Sequence, residues 1–198
     1  MPGGRPRSYD PEVALNAAML TFWTQGYEGT TMSDLTTAMG MSAPSIYAAF
    51  GDKETLFRKA VDRYMAGPGA YMQAALDQPT AEALARTFLH SAVEAVAGDR
   101  TPHGCLVVQS ALTVNPRSAS VQGYLTRLRE DGVKCLADRL QSFSSADGLP
   151  PGSDSSALAR LLVTVVQGLA VQAASGVPRE ALHTVADRMI TCWPRRTH

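Results

Sequence analysis

The sequence has no surplus of charge of either sign and very little cysteine. Its 18 Lys and Arg residues balance 18 Asp and Glu residues, so net charge does not indicate a polyanionic partner. The 3 cysteines form no CxxC or CxxH pairing, which argues against a disulfide framework and a zinc finger. We therefore expect a reduced, cytoplasmic compartment, and any nucleic-acid binding must depend on the local placement of charges.

A secretory leader, a membrane span and a catalytic motif are also missing. The N-terminal segment has no apolar core, and we find no uninterrupted apolar run of about 18 residues. The 4 histidines are scattered, and His103 and Cys105 would diverge around a helix without a third metal ligand. No nucleophile and base pairing or glycine-rich phosphate loop is evident. We predict no cofactor, no metal site, no membrane partner and no enzymatic activity.

Helix signals follow one another closely near the N-terminus. Asp10 and Pro11 begin a first helix, which Gly26 should end. Either Thr30 or Thr31 can cap a second helix, closed by Gly40, whose apolar face consists of Met32, Leu35, Ala38 and Met39. Two short helices around a glycine, followed by a third, are typical of a helix-turn-helix DNA-binding domain.

The third helix is short and carries small residues. It begins at Ser42 or Ala43 and should bury Ile46 and Phe50, leaving other faces exposed. Gly51 and Asp52 end it and cap a fourth helix, which should bury Leu56, Phe57, Ala60, Val61 and Tyr64. A short exposed helix of this kind is what entry into the DNA major groove requires.

The rest of the chain reads as helices without strands. A Gly and Pro cluster at 67–69 precedes helices predicted at 80–97, 105–114, 119–143, 157–174 and 179–193. The helix at 157–174 is apolar around most of its circumference, so we expect a second subunit to cover its outer side. The predicted fold class is all-α, with an N-terminal three-helix helix-turn-helix domain and a larger helical domain.

These segments resemble the TetR/AcrR family of bacterial transcriptional regulators. The resemblance is carried by Gly26, Tyr27, Thr30, Thr31, Met32, Leu35, Gly40, Ser45, Ile46, Tyr47, Phe50, Lys53, Glu54, Leu56 and Phe57. It implies a homodimer that places paired DNA-reading helices in successive major grooves and binds an inducer in its helical body. The corresponding division is a flexible basic arm at 1–8, a DNA-binding domain at 9–52, a linking helix at 53–67 and a ligand-binding and dimerisation domain at 68–198.

Several residues are candidates for contact with double-stranded operator DNA. The Tyr47 hydroxyl can reach a phosphate, or the side chain can simply pack, and the resemblance favours the phosphate. Lys53 opposes the dipole of the fourth helix, which suggests a phosphate contact, although an ordinary solvated lysine remains the alternative. The full DNA-binding set is Arg5, Arg7, Thr30, Thr31, Ser42, Ala43, Pro44, Ser45, Tyr47, Ala48 and Lys53.

Charge in this region is unfavourable for DNA binding. Through residue 65 the chain has six basic and seven acidic residues. We therefore predict few ionic contacts and a strong dependence on Arg5 and Arg7 in the arm.

The larger domain contains the candidate residues for the ligand-binding cavity and for the dimer interface. A small-molecule cavity is expected to be lined by Phe88, Cys105, Val108, Gln109, Leu112 and Leu128, although plain core packing explains any one of them. The expected dimer interface consists of Leu158, Leu162, Val165, Gly168, Leu169, Gln172, Leu182, Val185 and Met189. A cysteine redox sensor at Cys105 lacks the basic neighbour that would activate it.

The leading hypothesis is a ligand-responsive regulator, more specifically a repressor released from a palindromic operator by a small apolar or amphipathic molecule. The alternatives are a small helical enzyme and a ligand-binding interaction protein without DNA binding.

Overall fold

Within residues 9–112, 115–143 and 148–195, which a computed structural model describes, the chain forms helices and no strands. The α-helices are α1 (Pro11–Gly29), α2 (Met32–Met39), α3 (Ala43–Phe50), α4 (Lys53–Ala66), α5 (Tyr71–Leu76), α6 (Ala81–Val96), α7 (Leu106–Leu112), α8 (Ala119–Ser142), α9 (Ser155–Ala174) and α10 (Arg179–Thr191). A short 3-10 helix at Pro116–Ser118 precedes α8. The predicted all-α fold class is confirmed.

Helix α1 continues past the residue that should have ended it. Gly26 has φ 71° and ψ 173°, so the backbone kinks there and one further helical turn follows to Gly29. The side chains of Phe22 and Trp23 before the kink are fully buried, and Tyr27 after it packs beside Phe57 with ring centroids 5.0 Å apart. Glycine permits this positive φ, but the kink turns the helix instead of terminating it, so the prediction that Gly26 ends α1 is wrong.

Two adjacent threonines at the start of α2 have different roles. Thr31 is the N-cap, and its hydroxyl and the Asp34 carboxylate form a reciprocal capping box. Thr30 is only 1% exposed, and its hydroxyl donates to the Gly26 carbonyl at 2.7 Å. The prediction that either threonine caps α2 therefore holds for Thr31 alone. Ala38, which was predicted to share the apolar face, is exposed.

The short helix α3 and the helix α4 agree with expectation. Ser42 caps α3 and Asp52 caps α4, each accepting a hydrogen bond from a backbone N–H of the first turn. Ile46 and Phe50 are the buried residues of α3. The buried residues of α4 are Leu56, Phe57, Ala60, Val61 and Tyr64, as predicted.

The remaining helices form one body beneath the first four. Helix α9 packs against α6 and α8, α10 packs against α6, and α7 packs against α1. Helix α5 was missed, because its six residues are too few for periodicity to show and directly follow the Gly and Pro cluster. Part of the predicted helix at 105–114 and part of the loop at 144–156 lie outside the described residues, as do the arm at 1–8 and the C-terminal tripeptide.

Helix α9 is long and apolar enough, by length and composition alone, to cross a membrane. Its inner face is packed in the protein core through Ala159, Leu162, Val166, Leu169, Ala170 and Ala173. On its polar edge, Arg160 forms a bidentate ion pair with Glu130 of α8 at 3.0 and 2.7 Å. A core helix of a globular protein accounts for these contacts.

Candidate DNA-reading head and ligand cavity

The outer face of α3 is small, polar and uncovered. Ser42, Pro44, Ser45 and Ala48 are exposed, Ala43 is partly buried, and the Tyr47 side chain is 51% exposed. Because Ile46 and Phe50 anchor the opposite face, the Tyr47 ring projects away from the core. The Ser42 and Ser45 hydroxyls hydrogen-bond one another at 2.8 Å, which leaves this face few donors suited to base edges.

Lys53 has a structural partner that the sequence did not reveal. Its ammonium nitrogen lies 4.4 Å from the centre of the Tyr27 ring, a cation–π contact. Burial lowers the pKa of Lys53, while the nearby Glu28 and Asp34 carboxylates oppose that shift. The lysine is thus held where the end of α1 and the starts of α2 and α4 converge, beside the Thr31 cap. Lys53 therefore has a packing contact with Tyr27, and its phosphate contact stays a prediction.

A second lysine in this region escaped the sequence analysis. The Lys59 ammonium lies 3.4 Å from the Phe50 carbonyl and 5.7 Å from the centre of the Phe50 ring. It therefore lies at the C-terminal end of α3, where a cation complements the helix dipole. Spacing could not identify it, because residues nine apart in sequence meet here through the turn between α3 and α4.

A cavity of about 100 Å³ lies between α4, α5, α6, α7, α8 and α9. Four of the predicted lining residues surround it, namely Phe88, Cys105, Val108 and Leu128. Two others do not. The Leu112 side chain is 70% exposed, and the Gln109 amide lies 3.4 Å from the His103 carbonyl instead of lining the cavity. Both lie on α7, and rotation around the helix carries them away from the face that Val108 shares with the cavity.

The cavity wall is apolar with a few polar side chains that sequence reasoning missed. Tyr64, Tyr71, Arg129 and Gln167 contribute these groups. Nη1 of Arg129 is shielded from solvent and has no hydrogen-bond partner among the described residues, and the shielded Tyr64 hydroxyl has the Cys105 thiol as its hydrogen-bonding neighbour. Burial, with the nearby Cys105 as a smaller cause, raises the pKa values of Tyr64 and Tyr71 well above the ordinary value. Both phenols are therefore neutral at physiological pH.

The segment at the start of α7 lies between this cavity and residues 9–52, which we call the DNA-reading head. Immediately before α7, the Gly104 carbonyl accepts a 3.2 Å hydrogen bond from the buried Trp23 indole of α1. The Trp23 ring also meets the Tyr64 ring edge-on, with centroids 4.7 Å apart. Cys105, the next residue after Gly104, lines the cavity. The residue that Trp23 contacts, Gly104, is therefore directly followed in sequence by a residue of the cavity wall, Cys105.

On the surface, hydrogen bonds connect the end of α1 and the start of α4 to the segment around the start of α8. The Glu28 carboxylate accepts from the Asn115 N–H at 3.1 Å, and the Glu54 carboxylate accepts from the Ser120 hydroxyl at 2.7 Å. Hydrogen bonding from Ser118 lowers the pKa of Glu28, and hydrogen bonding from Ser120 lowers the pKa of Glu54. These contacts join the end of α1 and the start of α4 to the segment that leads into α8.

The outer side of α9 and α10 carries three exposed apolar side chains. Leu161 and Val171 of α9 and Val185 of α10 are 40–44% exposed. Among the predicted interface residues, Gly168, Gln172 and Val185 are exposed, and Leu158, Val165 and Met189 are partly buried. By contrast, Leu162, Leu169 and Leu182 are at most 1% exposed. These three leucines pack in the core of their own subunit, so their assignment to the dimer interface is wrong.

Two histidines that are distant in sequence meet between α6 and α10. The Nδ1 atoms of His90 and His183 lie 2.9 Å apart, and the two rings are stacked. The outer nitrogen of His183 lies 2.7 Å from Glu94, and that of His90 lies 3.2 Å from Asp187. In the part of the chain that the structure describes, no set of three His, Cys, Asp or Glu side chains is arranged to hold a metal ion. This cluster fastens α10 to α6.

An all-α protein with an exposed helix-turn-helix and a cavity behind it has the architecture of a one-component DNA-binding transcriptional regulator. The sequence profile described as "Bacterial regulatory proteins, tetR family" matches residues 14–60. The HTH-type transcriptional repressor ComR of Escherichia coli K12 is 31% identical over 193 residues, which are 96% of this chain and 92% of ComR. The chain belongs to the TetR family of bacterial transcriptional regulators.

Other relatives agree over most of the fold. CifR, a TetR family regulator solved as a cysteine mutant complexed with 26-bp double-strand operator DNA, is 41% identical with a TM-score of 0.91. The similarity covers 96% of this chain and 100% of CifR. The repressor BdcR of E. coli K12 is 27% identical over 156 residues, covering 72% of this chain and 79% of BdcR. These homologues are transcriptional regulators, which does not favour the enzyme or interaction-protein alternatives.

Proposed function

We propose that this regulator is a homodimeric repressor that a small molecule, bound in the cavity behind α7, releases from a palindromic operator. The observation that carries the proposal is the position of that cavity. Its wall includes Cys105, which directly follows Gly104, the residue that Trp23 of the head contacts. The relatives ComR and BdcR are called repressors, and CifR was solved with operator DNA. These names support repression by this chain.

In the proposed complex, α3 enters the major groove and phosphate contacts surround it. The Tyr47 hydroxyl and Lys53 ammonium contact phosphates on either side of the groove, and Thr31 presents the amides of the α2 N-terminus. Ser42, Ala43, Pro44, Ser45 and Ala48 face the base edges. The buried Thr30 hydroxyl takes no part, so Thr30 contributes only by holding the turn before Thr31.

The arm at 1–8 supplies much of the ionic contact through Arg5 and Arg7, because the head at 9–52 contains no Lys or Arg and five Asp or Glu residues. Deleting these eight residues from the intact dimer should weaken operator binding and make its salt dependence shallower by about one unit of slope for each lost phosphate contact. Fluorescence anisotropy across a salt series measures both quantities. Unchanged affinity together with an unchanged slope would contradict this role for the arm.

Dimerisation in this proposal uses the exposed apolar side of α9 and α10. Leu161 and Val171 lie on the outer face of α9, where Gly168 allows close approach of a second backbone. A Leu161→Glu substitution should give monomers in analytical ultracentrifugation and abolish tight operator binding. Thr126→Glu, on an exposed position of α8, is the matched control and should leave the dimer intact. A dimeric Leu161→Glu protein would refute this interface.

Release follows from thermodynamic linkage between the two sites. We assign the head to 9–52, the linking helix to 53–67 and the ligand-binding and dimerisation domain to 68–198. A ligand that shifts α7 or α4 changes the spacing of the two α3 helices, and operator DNA must weaken ligand binding by the same factor. Electrophoretic mobility shift with the DNA flanking the protein's own gene tests operator binding. Structures of DNA-bound and ligand-bound dimers with equal α3 separation would contradict the release mechanism.

A further inference from the structure

The side chains that line the cavity behind α7 include one that is positively charged and none that is negatively charged. Among its lining residues the charged side chain is Arg129 of α8, whose Nη1 is buried without a hydrogen-bond partner in the described chain. Its Nη2 makes a 3.3 Å hydrogen bond to the Thr126 hydroxyl. The neighbouring carboxylate of Glu130 is already engaged by both terminal nitrogens of Arg160. Glu130 therefore interacts with Arg129 through charge alone, and no hydrogen bond in the described part of the chain engages Nη1 of Arg129.

The rest of the wall is suited to an apolar ligand. Met72, Phe88, Val108, Leu128 and Val163 present hydrocarbon and aromatic surface. Arg129 is partly buried, and its shielded Nη1 would gain a hydrogen bond from an anionic ligand, whose carboxylate the planar guanidinium fork matches. The neutral Tyr64 hydroxyl, which lies beside the Cys105 thiol, is a further polar group in the same wall.

Volume restricts the size of the ligand. An engineered apolar cavity of roughly 150 Å³ holds the six carbon atoms of benzene, so about 100 Å³ encloses on the order of four non-hydrogen atoms. The site is open on one side, so the rest of a small ligand can extend beyond the enclosed part. We propose that the ligand of this regulator is a small monocarboxylate with an apolar aromatic or branched tail, held by the Arg129 guanidinium. This inference rests on the proposed function, since it names the chemical class of the molecule that the cavity binds.

The test compares benzoate with its neutral isostere benzamide on the full-length dimer, using isothermal titration calorimetry. Wild-type protein should bind benzoate at least tenfold more tightly than benzamide. Arg129→Gln should weaken benzoate binding by about 10- to 100-fold while changing benzamide binding by less than about threefold. Arg127→Gln is the matched control, because Arg127 lies on the same helix but is exposed and outside the cavity wall.

One further variant distinguishes the effect of the positive charge on benzoate binding from the effect of the planar guanidinium shape. Arg129→Lys keeps the charge without the fork and should fall between the wild type and Arg129→Gln. Thermal unfolding in the absence of ligand shows whether each variant is folded. Equal affinity for benzoate and benzamide, equal loss with Arg127→Gln, or no benzoate binding at millimolar concentration would overturn the assignment of a carboxylate.

Operator release is measured separately, by adding benzoate to the protein–DNA complex. Arg129-dependent benzoate binding without operator release would leave the ligand class standing and refute the proposed release mechanism. Release by benzamide as efficiently as by benzoate would support the proposed function and refute the ligand class. The two ideas can therefore fail independently.

Discussion

Gly104 is the residue at which the head, the cavity and the inner side of α9 meet, and replacing it with alanine should be unusually costly. Its backbone has φ +93°, and an added Cβ would lie 3.0 Å from the Cβ of Ala174 and 2.8 Å from the side-chain nitrogen of Gln109. The left-handed region costs a non-glycine residue roughly 1–2 kcal/mol. Crowding against the fixed Ala174 adds about 1–3 kcal/mol, as other overpacked sites do. We expect the free energy of unfolding to fall by about 2–5 kcal/mol.

A matched control isolates the crowding. Gly176 has φ +86°, but an added Cβ there would meet no atom within 4 Å, so Gly176→Ala should show the backbone cost alone. Urea denaturation monitored by circular dichroism, at one protomer concentration, gives both values, since the stability of a dimer depends on concentration. If Gly104→Ala costs no more than Gly176→Ala, then the close packing of the segment before α7 against α9 is not what makes Gly104 necessary.

The other predictions concern the DNA-binding face, the α2 cap and the surface junction. Tyr47→Phe should weaken operator binding by about 3- to 10-fold in fluorescence anisotropy without changing the melting temperature, because the ring is half exposed and only the hydroxyl is lost; unchanged affinity would argue against a phosphate contact. Thr31→Ala should lower the free energy of unfolding by about 1 kcal/mol through loss of the capping box, whereas Thr37→Ala on the exposed side of α2 should have little effect; equal losses would contradict the capping role. The pKa of Glu28 and Glu54 is lower in the folded protein than the ordinary 4.5, so their stabilisation is complete above that pH and is lost as the pH falls through the lowered pKa values. Stability measured by denaturation below pH 4.5 should therefore fall less steeply in a Glu28→Gln, Glu54→Gln double variant, and an unchanged slope would show that the junction contacts are weak.

The helix-turn-helix was predictable because its signals are local. Asp10, Ser42 and Asp52 cap their helices from positions directly before the first turn, and short-range spacing identified the buried side of α4. Such signals depend on residues within one or two turns of each other, so no knowledge of the tertiary structure is needed. The same reasoning failed at Gly26, where a positive φ is compatible with either a helix end or a kink, and packing of Tyr27 beside Phe57 selects the kink.

What the sequence could not decide is the orientation of helices that are apolar on most sides. Helix α9 has leucine at both 161 and 162, and only the packing of α6 and α8 against it turns Leu162 inward and leaves Leu161 on the surface. The same limit explains Leu112 and Arg129, whose places outside and inside the cavity wall depend on the rotation of α7 and α8. Capping and periodicity fix where helices begin and which residues share a face. Which face meets solvent, a ligand or a second subunit depends on contacts between residues far apart in the chain.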